Sequence, residues 1–423
     1  MRFTIPNGMS RRHFMSHLAG ASVAAIPALS LVHSLRTHAA ELKKNKKSAI
    51  LLWMDGGPST IDIWDLKPGA PTGGQFKPIS TAGDMQICEH MPMTAKVMDK
   101  LSIIRSMSTR EADHTRGKYY MRTGYVPNPN IEHPSYGAVL SHELFDQRSD
   151  LEIPPFVSVG GTSEGPGFLG MSWAPFNVTS NGQIRNLDVN PAEIDRIADR
   201  MRALDVLEKG FVSQNRGSAS NDHMKILAKT VNLMTSKQMD AFKVMKESKE
   251  VRDRYGNDAF GNGCLMARRL IEAGVPFVEV GNGGWDNHNN IFSILKDQKL
   301  PSLDRAMSAL VEDLSKRGLL QDTAIIWMGD FSRTPRINGN GGRDHWARAW
   351  SVVVGGGGLK GGITVGKTNE DGTSVETEPY TSQDVMATIC KTLGISLETT
   401  FTSNNGRPMK IANSGKVIKE LFA

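Results

Sequence analysis

The chain has 423 residues, 39% hydrophobic and 22% charged, ordinary globular values that exclude global disorder and allow one large α/β domain. The formal net charge is +6, but residues 1–40 hold four arginines (Arg2, Arg11, Arg12, Arg36) and no acid. The remaining 46 basic against 44 acidic residues, a net of +2, exclude the electrostatic footprint of a nucleic-acid binder.

In chain order, the first element is a leader. Arg11-Arg12 and Phe14 precede a weakly apolar run of small residues, with small residues for cleavage near Ala39 or Ala40. This pattern predicts a twin-arginine signal over 1–40, with the export machinery as a partner and a periplasmic or secreted destination. An N-terminal amphipathic helix is the alternative for the same residues. The run is too short and too weak to span a bilayer, and no other stretch could do so. Residues 41–47, with "KKNKK", read as a solvated linker to a main domain at 48–423.

Apolar runs then recur at "SAILLWMD" (48–55), "LSIIRSM" (101–107), "PFVSVGG" (155–161), "PFVEVGNGG" (276–284), "TAIIWMGD" (323–330) and "WSVVVGGGG" (350–358). Such unbroken strands suit a sheet covered on both faces. "LDRAMSALVEDLSKRG" carries an apolar helical stripe and stops at Gly318. "TSQDVMATICKTLG" opens with the capping-box spacing Thr381-x-x-Asp384. Strands alternating with helices predict an α/β sandwich with a mostly parallel sheet. Residues 187–256, charged and helix-favouring, predict a helical insertion. Cys88, Cys264 and Cys390 each sit among apolar neighbours, and this odd, sparse set predicts three core residues rather than a disulfide framework.

In sheets of this kind ligands bind at the carboxyl ends of the strands. Asp55 and Asp330 close strands, Asp286 and His288 follow another in "GGWDNH", and His345 follows in "GGRDHW". Carboxylate oxygen and imidazole nitrogen are what a zinc- or manganese-like ion takes. Each residue alone has a plainer explanation, a turn or cap for Asp and a structural role for His. Arg116, Lys118, Arg333 and Arg343 flank these motifs, and Arg333 and Arg343, inside them, are candidates to bind phosphate or sulfate oxygens; ordinary surface charge is the alternative. "GGGGLKGG" (355–362) reads as a strand-end turn, and the seven tryptophans as packing.

The order of these pieces resembles the alkaline phosphatase and sulfatase superfamily from about Ser48 onward. "DHTRGKYYMRTGYVP" looks like the sulfatase nucleophile segment, and "YTSQDVMATICKTLGI" is similar to the late helix of the catalytic domain. "WMDGGPSTIDIWDLKP", "RRLIEAGVPFVEV", "GGWDNH" and "GDFSRTPRINGNGGRDHW", together with the leader, resemble more closely the exported branch called domain of unknown function 1501. The resemblance implies a three-layer, alkaline-phosphatase-like sandwich and a metal-dependent hydrolase of phosphate or sulfate esters, on a small-molecule or glycan substrate. It implies that Asp55 and Asp330 hold one divalent ion and that Asp286, His288 and His345 hold another. Zinc is the first choice of metal, with manganese, magnesium and calcium as alternatives. Asp344 would orient His345 or bind directly, and His114 or Thr115 would stand at the nucleophile position. For "DHT" the plain alternative is an N-cap. Two departures follow. Phe331 stands where the phosphatases usually have His, and no cysteine has the Cys-x-Pro/Ala-x-Arg context of a formylglycine sulfatase, "CLMAR" at Cys264 coming nearest. A non-catalytic binding or scaffold protein on a degenerate fold therefore remains the alternative, and a metal-dependent mutase or transferase a third.

Overall fold

The computed structural model describes residues 46–148, 150–161, 163–184, 199, 203 and 236–422. The leader and most of the insertion therefore lie outside the described residues. Eight strands form the main sheet: β1 (Ser48–Met54), β2 (Leu101–Met107), β3 (Phe156–Val159), β4 (Phe176–Val178), β5 (Phe277–Asn282), β6 (Thr323–Gly329), β7 (Trp350–Gly356) and β8 (Thr364–Val365). Their order is β8-β2-β7-β6-β1-β5-β3-β4. Neighbours pair in parallel except at β7, which runs antiparallel to both β2 and β6.

The period-two alternation of an extended chain splits each central strand between two cores. On β1, Ile50, Leu52 and Met54 face one core, while Ala49, Leu51 and Trp53 face the other. The main helices are α1 (His114–Thr123), α2 (Tyr136–Phe145), α3 (Ala259–Glu272), α4 (Leu300–Lys316) and α5 (Ser382–Thr392). Leu265, Met266 and Leu270 of α3, with Leu303, Met307 and Leu310 of α4, fill the first core. Met121 of α1, Ala138 and Leu140 of α2, and Val385, Met386 and Ile389 of α5 fill the second. Because both faces are covered, the strands are apolar throughout. This is a three-layer α/β sandwich.

Local chemistry sets the helix ends. The capping box at Thr381 and Asp384 opens α5. Asp113 caps α1 by accepting from the Arg116 amide at 3.1 Å. All three cysteines are free and buried, and Trp53, Trp64, Trp285, Trp327 and Trp350 are fully buried core residues. The described part of the insertion, from 236, holds the helical turns Lys237–Phe242 and Val244–Lys246 and the helix Lys249–Tyr255. Among the described residues no helix is long and apolar enough to cross a membrane.

Candidate metal centre

Register places the acidic strand ends together. Met54 of β1 pairs with Gly329 of β6 and with Asn282 of β5, so Asp55 and Asp330 leave the same sheet edge on adjacent strands. Asp286 follows four residues after β5. Gly56, at φ +104°, lets the turn after β1 approach it: a Cβ there would lie 2.8 Å from the Asp286 amide nitrogen.

The Gly/Asn-rich loop after β6 brings the histidines together. Ser332–Arg333 pairs antiparallel with His345–Trp346. Between them the chain folds onto residues 287–291: the Asn290 amide donates to Asn340, Ile291 to Gly341, and Arg343 to Asn287, at 3.0–3.2 Å. Any side chain at Gly342 would collide with the His288 backbone at 2.0 Å, so glycine is required for this contact.

Three imidazoles result, each held by its Nδ1. His114 Nδ1 lies 2.5 Å from Asp330 Oδ2, His288 Nδ1 lies 2.7 Å from Asp344 Oδ1, and His345 Nδ1 lies 2.9 Å from the Ala112 carbonyl. A carboxylate or carbonyl has no proton to give, so each Nδ1 carries the hydrogen and a neutral ring leaves Nε2 as a lone pair, which at His288 also accepts from Arg333 Nη1 at 3.3 Å. Those nitrogens converge on Asp286. His288 Nε2 is 2.9 Å from Asp286 Oδ1, and His345 Nε2 is 3.4 Å from the same oxygen. His114 Nε2 is 3.4 Å from Asp286 Oδ2, and His288 and His345 face each other Nε2 to Nε2 at 3.2 Å. Ligand atoms of His114, Asp286 and His345 all fall within 4.8 Å of one another, with His288 beside them. Zinc bonds of about 2.0–2.1 Å in a tetrahedron set neighbouring ligand atoms about 3.3 Å apart. The four contacts above, at 2.9–3.4 Å, bracket that value.

Two further observations fit a cation. His114 Nε2 and Asp330 Oδ1 are buried without a hydrogen-bond partner. Asp286, Asp330 and Asp344 against Arg333 leave two negative charges, those of a divalent ion to neutralise. Burial alone would push the Asp286 carboxyl up, but the Arg333 guanidinium beside it holds it down at about 2. The hydrogen bond that His114 donates to Asp330 raises the His114 pKa against the opposing effect of burial.

The other predicted residues take different places. Asp330, fully buried, sets its Oδ2 against His114 Nδ1, while Asp55, expected to share a first ion with it, has other partners. Asp55 is instead held by the Lys118 ammonium, 2.8 Å from Oδ1 and 3.1 Å from Oδ2, and by Trp53 Nε1 at 3.2 Å. Burial raises the Asp55 pKa, but these partners bring it below the usual carboxylate value. Asp344 braces His288, not His345. Arg333 and Arg343, expected to bind substrate, are buried struts. Arg333 donates to Gly56 and Gly57 carbonyls and contacts Asp286 Oδ1 at 2.6 Å. Arg343 makes a bidentate pair with Asp62, both contacts at 2.8 Å, and its remaining donors go to the Thr72, Thr334 and Pro335 carbonyls. Thr115 is exposed in the first turn of α1, and Arg116 pairs with Glu111 on the surface. Phe331, fully buried, stacks on His114 at 4.8 Å and 26° and lies 4.8 Å from His345, forming the apolar floor beneath the imidazoles.

Fold and site together define an α/β protein with a His-rich candidate metal centre at the carboxyl edge of its sheet. The family model described as "Protein of unknown function (DUF1501)" matches residues 46–422, and the chain belongs to that family. None of the curated proteins matches it. Among solved structures, Ps i-CgsB is similar at 11% identity, covering 84% of this chain and 73% of that one with a TM-score of 0.41. The alkaline phosphatase from the Antarctic bacterium TAB5 is similar at 15% identity, 83% and 99% coverage and a TM-score of 0.35. The PsFucS1 sulfatase from Pseudoalteromonas sp. is similar at 13% identity, 86% and 70% coverage and a TM-score of 0.36. At these identities and scores the activity of the chain has to be argued from its own residues.

Proposed function

We propose that the protein is a metal-dependent ester hydrolase with one divalent ion, zinc by its donor set, bound by His114, Asp286, His288 and His345. The observation that carries this reading is the convergence of three Nε2 lone pairs on one carboxylate, each ring locked by its Nδ1. Such a cluster repels itself unless a cation fills it. A bound ion would supply Lewis acidity toward a phosphoryl or sulfuryl oxygen. Around it, Asp330 and Asp344 fix ring orientation, Arg333 keeps Asp286 ionised, and Phe331 keeps water from the floor.

His114 is committed at both nitrogens in this reading, so it is a ligand and not a nucleophile. Thr115, one residue on and exposed, is the side-chain hydroxyl to which this reading assigns the attack. Lys118 stands where a second ion would need Asp55, which favours one ion over two. The twin-arginine pattern of the leader supports a reaction outside the cytoplasm; a chain recovered only from the cytoplasmic fraction would remove that part of the proposal.

Purified protein should bind one divalent ion per chain and hydrolyse an aryl phosphate, phosphodiester or sulfate. The Asp286→Ala variant should lose both properties. A chain that takes up no ion at micromolar concentrations overturns the reading. One ion bound without turnover of any ester supports the non-catalytic binding alternative, which the ammonium already seated on Asp55 also favours.

A further inference from the structure

A cavity of about 560 Å³ lies away from the metal centre. It opens at the Gly124 end of α1, while His114 stands at the other end. Ten helical residues separate the two ends by about 15 Å. No Asp or Glu lines the cavity, whereas Arg407 and Lys410 do. Lys410 is paired with Glu398 at 3.0 Å. The exposed Arg407 side chain has no carboxylate partner within salt-bridge reach among the described residues.

The walls suit a ring. Tyr125 lies flat against His133, with centroids 4.0 Å apart and planes 7° from parallel, and His133 is tied in turn to the Tyr119 hydroxyl at 2.9 Å. The phenol is thereby a rigid platform. Beside it Val126, 47% exposed, is one of only four large hydrophobic side chains left open to solvent among the described residues. Asn413 commits its amide nitrogen to the Gly124 carbonyl at 3.0 Å, leaving its oxygen to accept from a hydroxyl. The backbone here is unusual as well. Ala412, Asn413 and Ser414 run consecutively at φ +53°, +44° and +63°, a conformation that side-chain-bearing residues rarely adopt and that concentrates at ligand-binding segments.

We infer that this cavity is a second binding site, for an anionic sugar unit. The guanidinium takes the acidic group, Tyr125 and Val126 take the apolar face of the ring, and the amide oxygen takes a hydroxyl. The volume is that of a small-molecule pocket. The inference does not depend on the metal reading.

Calorimetric titration of the full chain with digalacturonate tests it, since this ligand carries no phosphate or sulfate ester for the metal centre. Binding should appear in the wild type and equally in Asp286→Ala. It should weaken by about tenfold, near 1.4 kcal/mol, in Arg407→Ala, a surface change that leaves the fold intact, and in Tyr125→Ala. The neutral methyl ester should bind at least as weakly as the acid binds to Arg407→Ala. The inference is overturned by no binding at millimolar digalacturonate, by equal binding of the methyl ester, by retention in Arg407→Ala, or by loss in Asp286→Ala. Tighter binding of adenosine monophosphate than of the uronate would reassign the cavity to nucleotides and overturn it too.

Discussion

At the scale of single residues, the departure at position 331 and the role of Asp330 belong together. Phe331 offers no donor, but its ring stacks on His114 and closes the space beneath it. Asp330, with no open path to solvent, turns its carboxylate to the ring it can reach. A carboxylate behind a metal-bound histidine sets the tautomer and strengthens the nitrogen that binds. Asp330→Asn keeps the size but lets the amide donate to Nδ1, moving the ring proton to Nε2, where an ion would bind. Metal affinity should fall about 10–100-fold, read by competition against a chromogenic chelator with secondary structure unchanged by circular dichroism. Unchanged affinity would remove Asp330 from the centre. The sequence could not assign this role: an Asp that closes a strand looks the same whether it binds a metal or orients a ligand 216 positions away. It also could not distinguish a buried strut from a substrate clamp at Arg343, whose partner Asp62 lies 281 positions distant.

At the scale of elements, the long strands were legible because two-sided burial writes itself as an unbroken apolar run. The runs at 48–55, 101–107 and 323–330 became β1, β2 and β6 within a residue or so. The three-residue β4 and two-residue β8 have no such signature, since edge strands that short carry too few side chains for a pattern. The antiparallel course of β7 was equally hidden, because direction is set by connections rather than composition. What seats α1 against the sheet was missed for a related reason. Arg122, near its C-terminal end, places its guanidinium 4.0 Å over the Trp53 ring and 2.5 Å from Glu279 of β5. Glu279 is 2% exposed and also accepts from Ser163 at 2.6 Å. Each residue alone reads as a surface charge. Removing one partner strands the other in the interior, so Arg122→Leu and Glu279→Leu should each cost about 3–5 kcal/mol. The double variant should recover much of that loss, because an apolar pair leaves no unpaired charge. Urea midpoints of the four proteins measure the coupling. Strict additivity would mean that the pair does not hold α1.

At the scale of the whole molecule, the two cores share one sheet, and the metal centre sits where β1, β5 and β6 end. Unfolding of either face should therefore disturb both. The cysteines are natural reporters: Cys88 and Cys264 belong to one core and Cys390 to the other. Burial pushes the Cys88 and Cys390 thiols up to about 12 and raises Cys264 well above its ordinary value. In the folded chain all three should resist a thiol reagent at pH 8, because the reactive species is the exposed thiolate. Labelling should then proceed only through unfolding, at one common rate for the three sites if the sandwich opens as a unit. A ligand that binds only the folded state stabilises it by RT ln(1 + [L]/Kd), about 2.7 kcal/mol at a hundredfold excess over Kd. Zinc at that excess should therefore slow labelling of all three thiols by about a hundredfold. Peptide mass analysis of the modified chain separates the possibilities. Protection confined to Cys88 and Cys264 would show that the two faces open separately. No protection at any thiol would mean that the converging histidines do not bind the ion in the folded chain.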